Sequence, residues 1–484
     1  MENSVANNVS SSLQVPLLNT PNLLMVGALA SISDLAFFLK VTPKHLTYIA
    51  YHLDEIYKYS EFEIPKKSGG FRKISAPHIP IKILQKKLSD FFQCCFEEIL
   101  YLNNVNNKII HGFIKEKSIS TNASLHLNKR YLLNIDIEDF FSSIHFGRVF
   151  GYLTKNRNFQ FKSDVAKIIS ALSCYKGVLP QGSPLSPVLS NLIFQPCDIA
   201  LLNYAKKNSI TYTRYADDLT FSSDRPFDKD KLLQDIEECI ARYDFKINSK
   251  KTRFQSFHER QSVTGITTNK KLNVSKEYYK KVRSLVFCLI KDDDFKLEGK
   301  KNEYNIQSKL NVLQGRLSHI DWIDSQEKQK KIKSIKNEKD IVKAHRDLNK
   351  RERTLRDFYI YTRFFFDEKA LIICEGSTDI SHIGMMINFL KKNEEAFFRK
   401  EKEKVVQTYE FLKWDSNANR FLSATGGTPS FTSISKRIEN PEKFSKIFKG
   451  KTTKKKIIYV MDYDETGEKA LENLKKTAWI KGNS

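Results

Sequence analysis

Thr211-Tyr-Thr-Arg-Tyr-Ala-Asp-Asp-Leu-Thr-Phe-Ser-Ser223 decides the fold. The stretch is dense in β-branched and aromatic residues, which suit a pleated, half-buried strand. Two acids interrupt it near its centre, so it reads as a hairpin whose turn carries Ala216-Asp217-Asp218. Adjacent carboxylates at a tight turn repel each other unless a cation neutralises them. Taken alone, the pair is as well explained by a solvated turn. Residues 131–137 (YLLNIDI) supply a third carboxylate: an apolar run carries Asp136 at its exit, and Glu138-Asp139-Phe140-Phe141 follow. Carboxylates from neighbouring strands give the oxygen ligation that Mg²⁺ takes. Two such ions roughly 3.5–4 Å apart serve an in-line phosphoryl transfer, one activating the attacking hydroxyl and one stabilising the leaving oxygen.

Three further segments surround this constellation. Gly177-Val-Leu-Pro-Gln-Gly-Ser-Pro lies between the two acidic elements, and Gln181-Gly182 in it is a polar hook followed by a residue without a side chain. Such a pair suits close backbone approach by a base or sugar. Phe245-Lys-Ile-Asn-Ser-Lys-Lys-Thr places Lys251, with Lys250 as its neighbour and rival, as a cation able to protonate a pyrophosphate leaving group. Upstream, residues 64–74 (IPKKSGGFRKI) read as a hairpin turning at Gly69-Gly70.

Composition sets the wider frame. A chain of 484 residues suggests about three domains. With 40% hydrophobic and 28% charged residues it builds several cores and is not disordered as a whole. Lys and Arg number 80 against 56 Asp and Glu, a net charge of +24. That excess points to a polyanionic partner, nucleic acid first, with a ribosome-like or membrane-surface role as the alternative. The seven cysteines are scattered without metal-site spacing, which fits a reducing cytoplasm. The apolar stretch at 23–30 is too short to span a bilayer, and residues 1–21 lack the basic start of a signal peptide. The expectation is a cytoplasmic protein with no membrane association. Its expected parts are a loose arm at 1–20, a mixed α/β region at 21–274, charged helices at 275–365 and a separate α/β domain at 366–484.

Tyr215-Ala216-Asp217-Asp218, the element from Asp136 to Phe141, and Leu179-Pro180-Gln181-Gly182-Ser183-Pro184 resemble the palm and fingers motifs of reverse transcriptases, and they follow one another along the chain in the order that family uses. The resemblance implies a right-hand polymerase of fingers, palm and thumb. In it Asp136, Asp217 and Asp218 hold two Mg²⁺, and Lys251 is the general acid. Phe141 is then the aromatic gate against a 2′-OH, Gln181, Gly182 and Tyr215 line the incoming dNTP, and Arg72 and Lys73 grip its triphosphate. Asn122-Ala-Ser-Leu-His126 fits the NAxxH element of bacterial retron reverse transcriptases, and Val263-Thr264-Gly265 fits their VTG element. Both are implied to lie against structured RNA, although His126 taken alone reads as well as a hydrogen-bonded core histidine. The retron resemblance covers roughly 25–365, with 275–365 as the thumb. It implies a cognate noncoding RNA that is both primer and template, and a branched RNA-linked msDNA product.

A second constellation follows. Lys369-Ala-Leu-Ile-Ile-Cys-Glu-Gly ends an apolar strand in Glu375, and Lys456-Ile-Ile-Tyr-Val-Met-Asp-Tyr-Asp ends another in Asp462 and Asp464. In open parallel sheets, sites form at the carboxyl ends of strands. Two polar strand exits in an ordinary α/β domain are the plain alternative. The pattern resembles the Toprim domain of topoisomerases, primases and nucleases, a fold with a mostly parallel sheet. It implies one or two Mg²⁺ on Asp462 and Asp464, with Glu375 as a further ligand or as general acid/base, an insertion around 400–450, and Gly426-Gly427 as the internal turn. The lysines at 443–456 are expected to meet substrate phosphates. The expected whole is a retron reverse transcriptase fused to a Toprim nuclease effector in anti-phage defence. Its target is nucleic acid, RNA or tRNA ahead of DNA, and a homo-oligomer is compatible with it. The alternatives are a C-terminal binding or oligomerisation module without chemistry, and a group II intron-type maturase.

Overall fold

The computed structural model describes residues 21–66, 69–102, 108–299, 303–390, 398–401, 404–422, 426–462 and 464–475. The expected arm at 1–20 lies outside the described residues. The chain divides into two compact units, Met1–Leu272 and Asn273–Ser484.

In the first unit, short helices lead to an antiparallel ribbon of β1 (Tyr59–Pro65) and β2 (Phe71–Pro77). Its turn uses the expected glycines: Gly69 and Gly70 have φ of +90° and +74°, and the Lys66 N–H donates to the Gly70 carbonyl at 2.9 Å. The central sheet is antiparallel, in the order β4-β5-β3-β6, with β3 (Tyr131–Asp136), β4 (Thr211–Tyr215), β5 (Asp218–Ser223) and β6 (Arg253–Ser256). Leu132, Leu133 and Ile135 of β3 are fully buried, as an internal strand requires. The helix Ser186–Lys207 is buried along most of its length, so it runs through the core. Its Phe194 meets Phe245 at 4.8 Å between ring centroids, and Phe140 meets Phe245 at 5.8 Å. This aromatic knot draws Phe140 inward, fixes the loop after β3 and leaves Phe141 half-buried at its margin. A last hairpin, β7 (Ser262–Val263) and β8 (Ile266–Thr267), turns on Thr264 and Gly265, both at positive φ. Two-residue turns of this kind match the twist of the strands they join.

The second unit begins with helices Lys276–Asp292, Ile306–Lys333, Glu338–Arg346 and Lys350–Phe364. A three-stranded parallel sheet follows, with β9 (Ala370–Cys374) at its centre. An antiparallel pair, β10 (Phe398–Glu401) and β11 (Lys404–Gln407), precedes its edge strand β12 (Tyr409–Phe411), and β13 (Ile457–Val460) is the other edge. The expected boundary near Phe366 falls inside this compact unit. Phe364 stacks on Phe444 and Phe365 on Phe448, at 6.2 and 5.5 Å. The Arg420 guanidinium donates to both oxygens of Asp321 at 2.7 and 2.8 Å. Three of the seven lysines in the basic stretch expected to face substrate phosphates are engaged in such contacts. Lys451 and Lys454 pair with Asp293, and Lys455 is buried between Asp367 and Glu410, whereas Lys443, Lys446, Lys449 and Lys456 stay exposed. Among the described residues no helix is long and apolar enough to cross a membrane.

Candidate active sites

Ala216 and Asp217 form the two-residue turn between β4 and β5, closed by the pair Tyr215–Asp218. Ala216 adopts φ +56°, the left-handed conformation such turns take at their first position. Asp218 stands directly opposite Asp136 across β5 and β3. The Ile137 N–H donates to the Asp217 carbonyl at 3.0 Å and ties the turn to the exit of β3. Three carboxylates thus share one sheet edge, and the electrostatics show it. Burial first, and then the charge of Asp136, raises the Asp217 carboxyl above its ordinary value. Asp218 reaches solvent at one edge, yet crowding by protein, then the charges of Asp217 and Asp136, pushes it up to about 6.

Lys251 places its ammonium 2.9 Å from each Asp136 oxygen. In this arrangement it is the counter-ion of Asp136. Carboxylate attraction draws the flexible lysine onto the nearest buried charge. Among the described residues, no three Asp, Glu, His or Cys side chains gather at metal-ligand distances. The donor set still suits Mg²⁺, because hard carboxylate oxygens that resist joint ionisation are relieved by a hard cation.

A group of residues not anticipated from the sequence holds this turn. Arg214 is fully buried and donates to both oxygens of Asp198, at 2.8 and 2.6 Å, to Asn191 at 2.9 Å and to the Ala216 carbonyl at 3.2 Å. Gly112 lies so close that a Cβ there would fall 2.3 Å from the Ala216 nitrogen. The one signal in the sequence is an arginine at an inward strand position, between Thr213 and Tyr215.

The nucleotide-binding candidates are partly gathered and partly separated. The Ser75 N–H donates to the Gln181 carbonyl at 2.8 Å, and a Cβ on Gly182 would fall 2.5 Å from the Ser75 carbonyl oxygen. The Gln181-Gly182 loop therefore packs on β2 and requires glycine. Arg72 pairs with Ile64 and Lys73 with Glu63, and successive strand residues face opposite sides. Arg72 lies on the side of Ile74, which touches the Gly182 loop, and its charge is felt at Asp217. Lys73 faces away and pairs with Glu61 at 2.9 Å, where Lys176 also binds. The structure does not bring Arg72 and Lys73 together on one triphosphate. Phe141 is half-buried, with its ring centroid 6.2 Å from that of Phe113.

The RNA-binding candidates also divide. Asn122 and His126 are completely buried. The His126 ring nitrogens lie 2.6 Å from the Ser222 hydroxyl and 2.7 Å from that of Thr213, so this histidine rivets its segment to β5 and β4. Burial takes both side chains out of reach of RNA, which corrects the expectation of direct contact. Val263 is buried too, while Thr264 is half-buried, donating to the Ile119 carbonyl at 3.3 Å, and Gly265 is exposed.

At the second constellation, β9 and β13 are parallel neighbours, and Glu375 and Asp462 follow their carboxyl ends. The Asp462 N–H donates to Glu375 Oε2 at 3.3 Å. Gly426 and Gly427 pack there as well, the Gly427 N–H donating to the Glu375 carbonyl at 3.1 Å. Asp464 turns to its own helix, Glu465–Lys475, accepting from the Thr466 hydroxyl and the Gly467 N–H, both at 2.7 Å. The Thr466 hydroxyl, then the Gly467 N–H, holds its carboxyl below the ordinary value, so it stays ionised. Glu375 and Asp462 adjoin, and Asp464 brings a charge already committed to a helix start.

A family model described as reverse transcriptase (RNA-dependent DNA polymerase) matches residues 64–308. The chain is 30% identical over 331 residues to the retron Ec86 reverse transcriptase of Escherichia coli, covering 66% of this chain and 93% of that protein. It is 31% identical over 285 residues to the retron Mx65 reverse transcriptase of Myxococcus xanthus, covering 54% of this chain and 63% of that one. Against the retron Ec83 reverse transcriptase of Escherichia coli the figures are 30% over 243 residues, 47% and 75%. The model match contains Asp136, Asp217 and Asp218, and it ends before Glu375, Asp462 and Asp464.

Proposed function

Because this chain belongs to the retron reverse transcriptases, we propose that its RNA-directed DNA polymerase makes branched, RNA-linked msDNA on a cognate noncoding RNA, with Asp136, Asp217 and Asp218 as the Mg²⁺-holding carboxylates. The observation that carries the site assignment is the cross-strand pairing of Asp136 with Asp218 beside the Asp217 turn. Reverse transcriptases use Mg²⁺ at this site, where it lowers the barrier to attack and neutralises charge on the phosphates. The protein's own residues position and select. Arg72 offers charge to the triphosphate, the Gln181-Gly182 loop lets the nucleotide approach the backbone, and Phe141 stands where a 2′-OH would press. Lys251 is the counter-ion of Asp136 until substrate and cation take over that charge, and its ammonium is then the proton donor for the pyrophosphate leaving group. Membership of the retron enzymes takes precedence over the intron-maturase alternative.

Asp217→Asn or Asp218→Asn is expected to abolish DNA synthesis in primer extension and leave RNA affinity within about twofold, since affinity comes mostly from phosphate contacts. Near-normal msDNA from either variant would overturn the assignment.

The acids after β9 and β13 support a second activity, a Toprim-type Mg²⁺ nuclease acting on nucleic acid, RNA or tRNA ahead of DNA, as the effector of an anti-phage system. Glu375 and Asp462 would hold one cation, with Asp464 as a further ligand. One observation favours the rival reading of a binding module: the Asp464 carboxylate is already engaged as a helix cap.

A further inference from the structure

We propose that Phe113 is a specificity-determining residue, the second wall of the sugar gate whose first wall is Phe141. This rests on the reading of Phe141 as that gate, and the experiment below separates the two.

Phe113 is held at φ +62°. For a bulky residue this conformation is an outlier that persists only where the surroundings enforce it, and such residues gather at ligand sites. The enforcement is visible. The Arg214 N–H donates to the Ile109 carbonyl at 2.7 Å and the His111 N–H to the Arg214 carbonyl at 2.8 Å, so this segment is bridged to β4 in parallel at Ile110. The Asn191 side chain donates to the Gly112 carbonyl at 3.0 Å, and Gly112 presses on the nitrogen of Ala216. The segment is thereby docked on the turn that bears Asp217.

What it presents there is one ring. Ile110, His111 and Ile114 are buried, whereas Phe113 is 43% exposed. A strained backbone that leaves much of an aromatic ring in solvent forgoes part of the gain from burial. It gains if something docks on the ring. The Phe113 ring is tilted 52° to that of Phe141. Two rings in that relation make a corner beside the carboxylates, and a sugar edge entering it meets Phe141 from one side and Phe113 from the other. Removing either wall gives a 2′-OH somewhere to go.

The test is primer extension by the full-length protein on an RNA template, reading the ratio of kcat/KM for a dNTP to that for the matching rNTP. A folding defect lowers both terms, so the ratio isolates the gate. Phe113→Ala is expected to lower the ratio about three- to tenfold, the worth of one aromatic contact. Phe113→Tyr is expected to restore most of it. Should Phe113→Ala be inactive, Phe113→Leu gives the same reading with less lost volume. An unchanged ratio in the active Phe113 variant overturns the proposal, whatever Phe141 does. If Phe141→Ala lowers the ratio and Phe113→Ala does not, the gate stands with one wall. If Phe141→Ala leaves the ratio unchanged, the gate reading fails and the two-wall proposal with it.

Discussion

At the residue scale, the most informative side chain is His126, because the motif that carries it points outward and the residue points inward. Its ring is locked between two hydroxyls inside the sheet layer, and complete burial pulls its pKa down to about 3. Burial likewise takes His111 down to about 4. Unfolded histidines titrate near 6.5, so between that value and the folded one the unfolded chain binds more protons. Their contribution to stability is complete above about pH 6.5 and is lost as pH falls towards 4 and then 3, at up to about 1.4 kcal/mol per unit for each. Asp218, raised to about 6, works in the opposite sense and offsets part of this. Asp217, raised as well, adds to that offset. Denaturant unfolding at several pH values checks it: the stability of His126→Asn should depend less steeply on pH than that of wild type. Equal slopes would show that His126 is not the buried neutral group described.

At the element scale, the β1–β2 ribbon shows how a sequence reading can name the right element and the wrong partnership. Arg72 and Lys73 are adjacent in the chain and therefore opposite in space. Arg72→Ala is expected to raise the KM for dNTPs about tenfold or more, the worth of a charge-assisted hydrogen bond. Lys73→Ala, which removes only an exposed pair with Glu61, should change it less than about twofold. Equal effects in steady-state kinetics would mean that the ribbon turns over on binding. Much of the rest was legible. Alternating patterns, a glycine turn and two acid-bearing strand exits marked β1 to β5, β9 and β13, because strand periodicity and turn chemistry are local properties. Three kinds of information were not local. The burial of Asn122 and His126, the pairing of Lys451, Lys454 and Lys455 with distant acids, and the docking of Gly112 on Ala216 depend on which segments meet in the folded chain. A run of lysines looks the same whether it meets phosphates or aspartates. The cap formed by Asp464 was half-legible, since Asp before a Glu-Thr-Gly helix start is itself a capping pattern.

At the scale of the whole molecule, the second unit argues against a polymerase that merely carries a passenger. Tyr361, Phe364 and Phe365 are buried at the end of the last helix before β9, and Phe444 and Phe448 from the segment before β13 cover the two phenylalanines. Asp293, at the end of helix Lys276–Asp292, is partly buried, which alone would raise its pKa. Hydrogen bonds from Lys451, Tyr361 and Lys454 instead hold it down to about 2. Deleting residues after 365 would bare those rings, each worth about 1.5–3 kcal/mol when buried, and would strip both lysines from Asp293. Several such losses rival the whole stability of a domain, about 5–15 kcal/mol. A chain ending at residue 365 is therefore expected to aggregate or to lose at least about tenfold in DNA synthesis, because helices within the polymerase family match lose their support. Asp462→Ala is expected to do the opposite: it removes one exposed carboxylate, leaves the core intact, and should keep DNA synthesis near normal while abolishing any toxicity or phage protection that depends on the second site. Measuring msDNA yield, soluble expression and phage survival for both variants decides the matter. Full DNA synthesis by the shortened chain would show that the helices stand without the sheet. Phage protection that survives Asp462→Ala would leave the C-terminal acids without chemistry and the segment as a binding module.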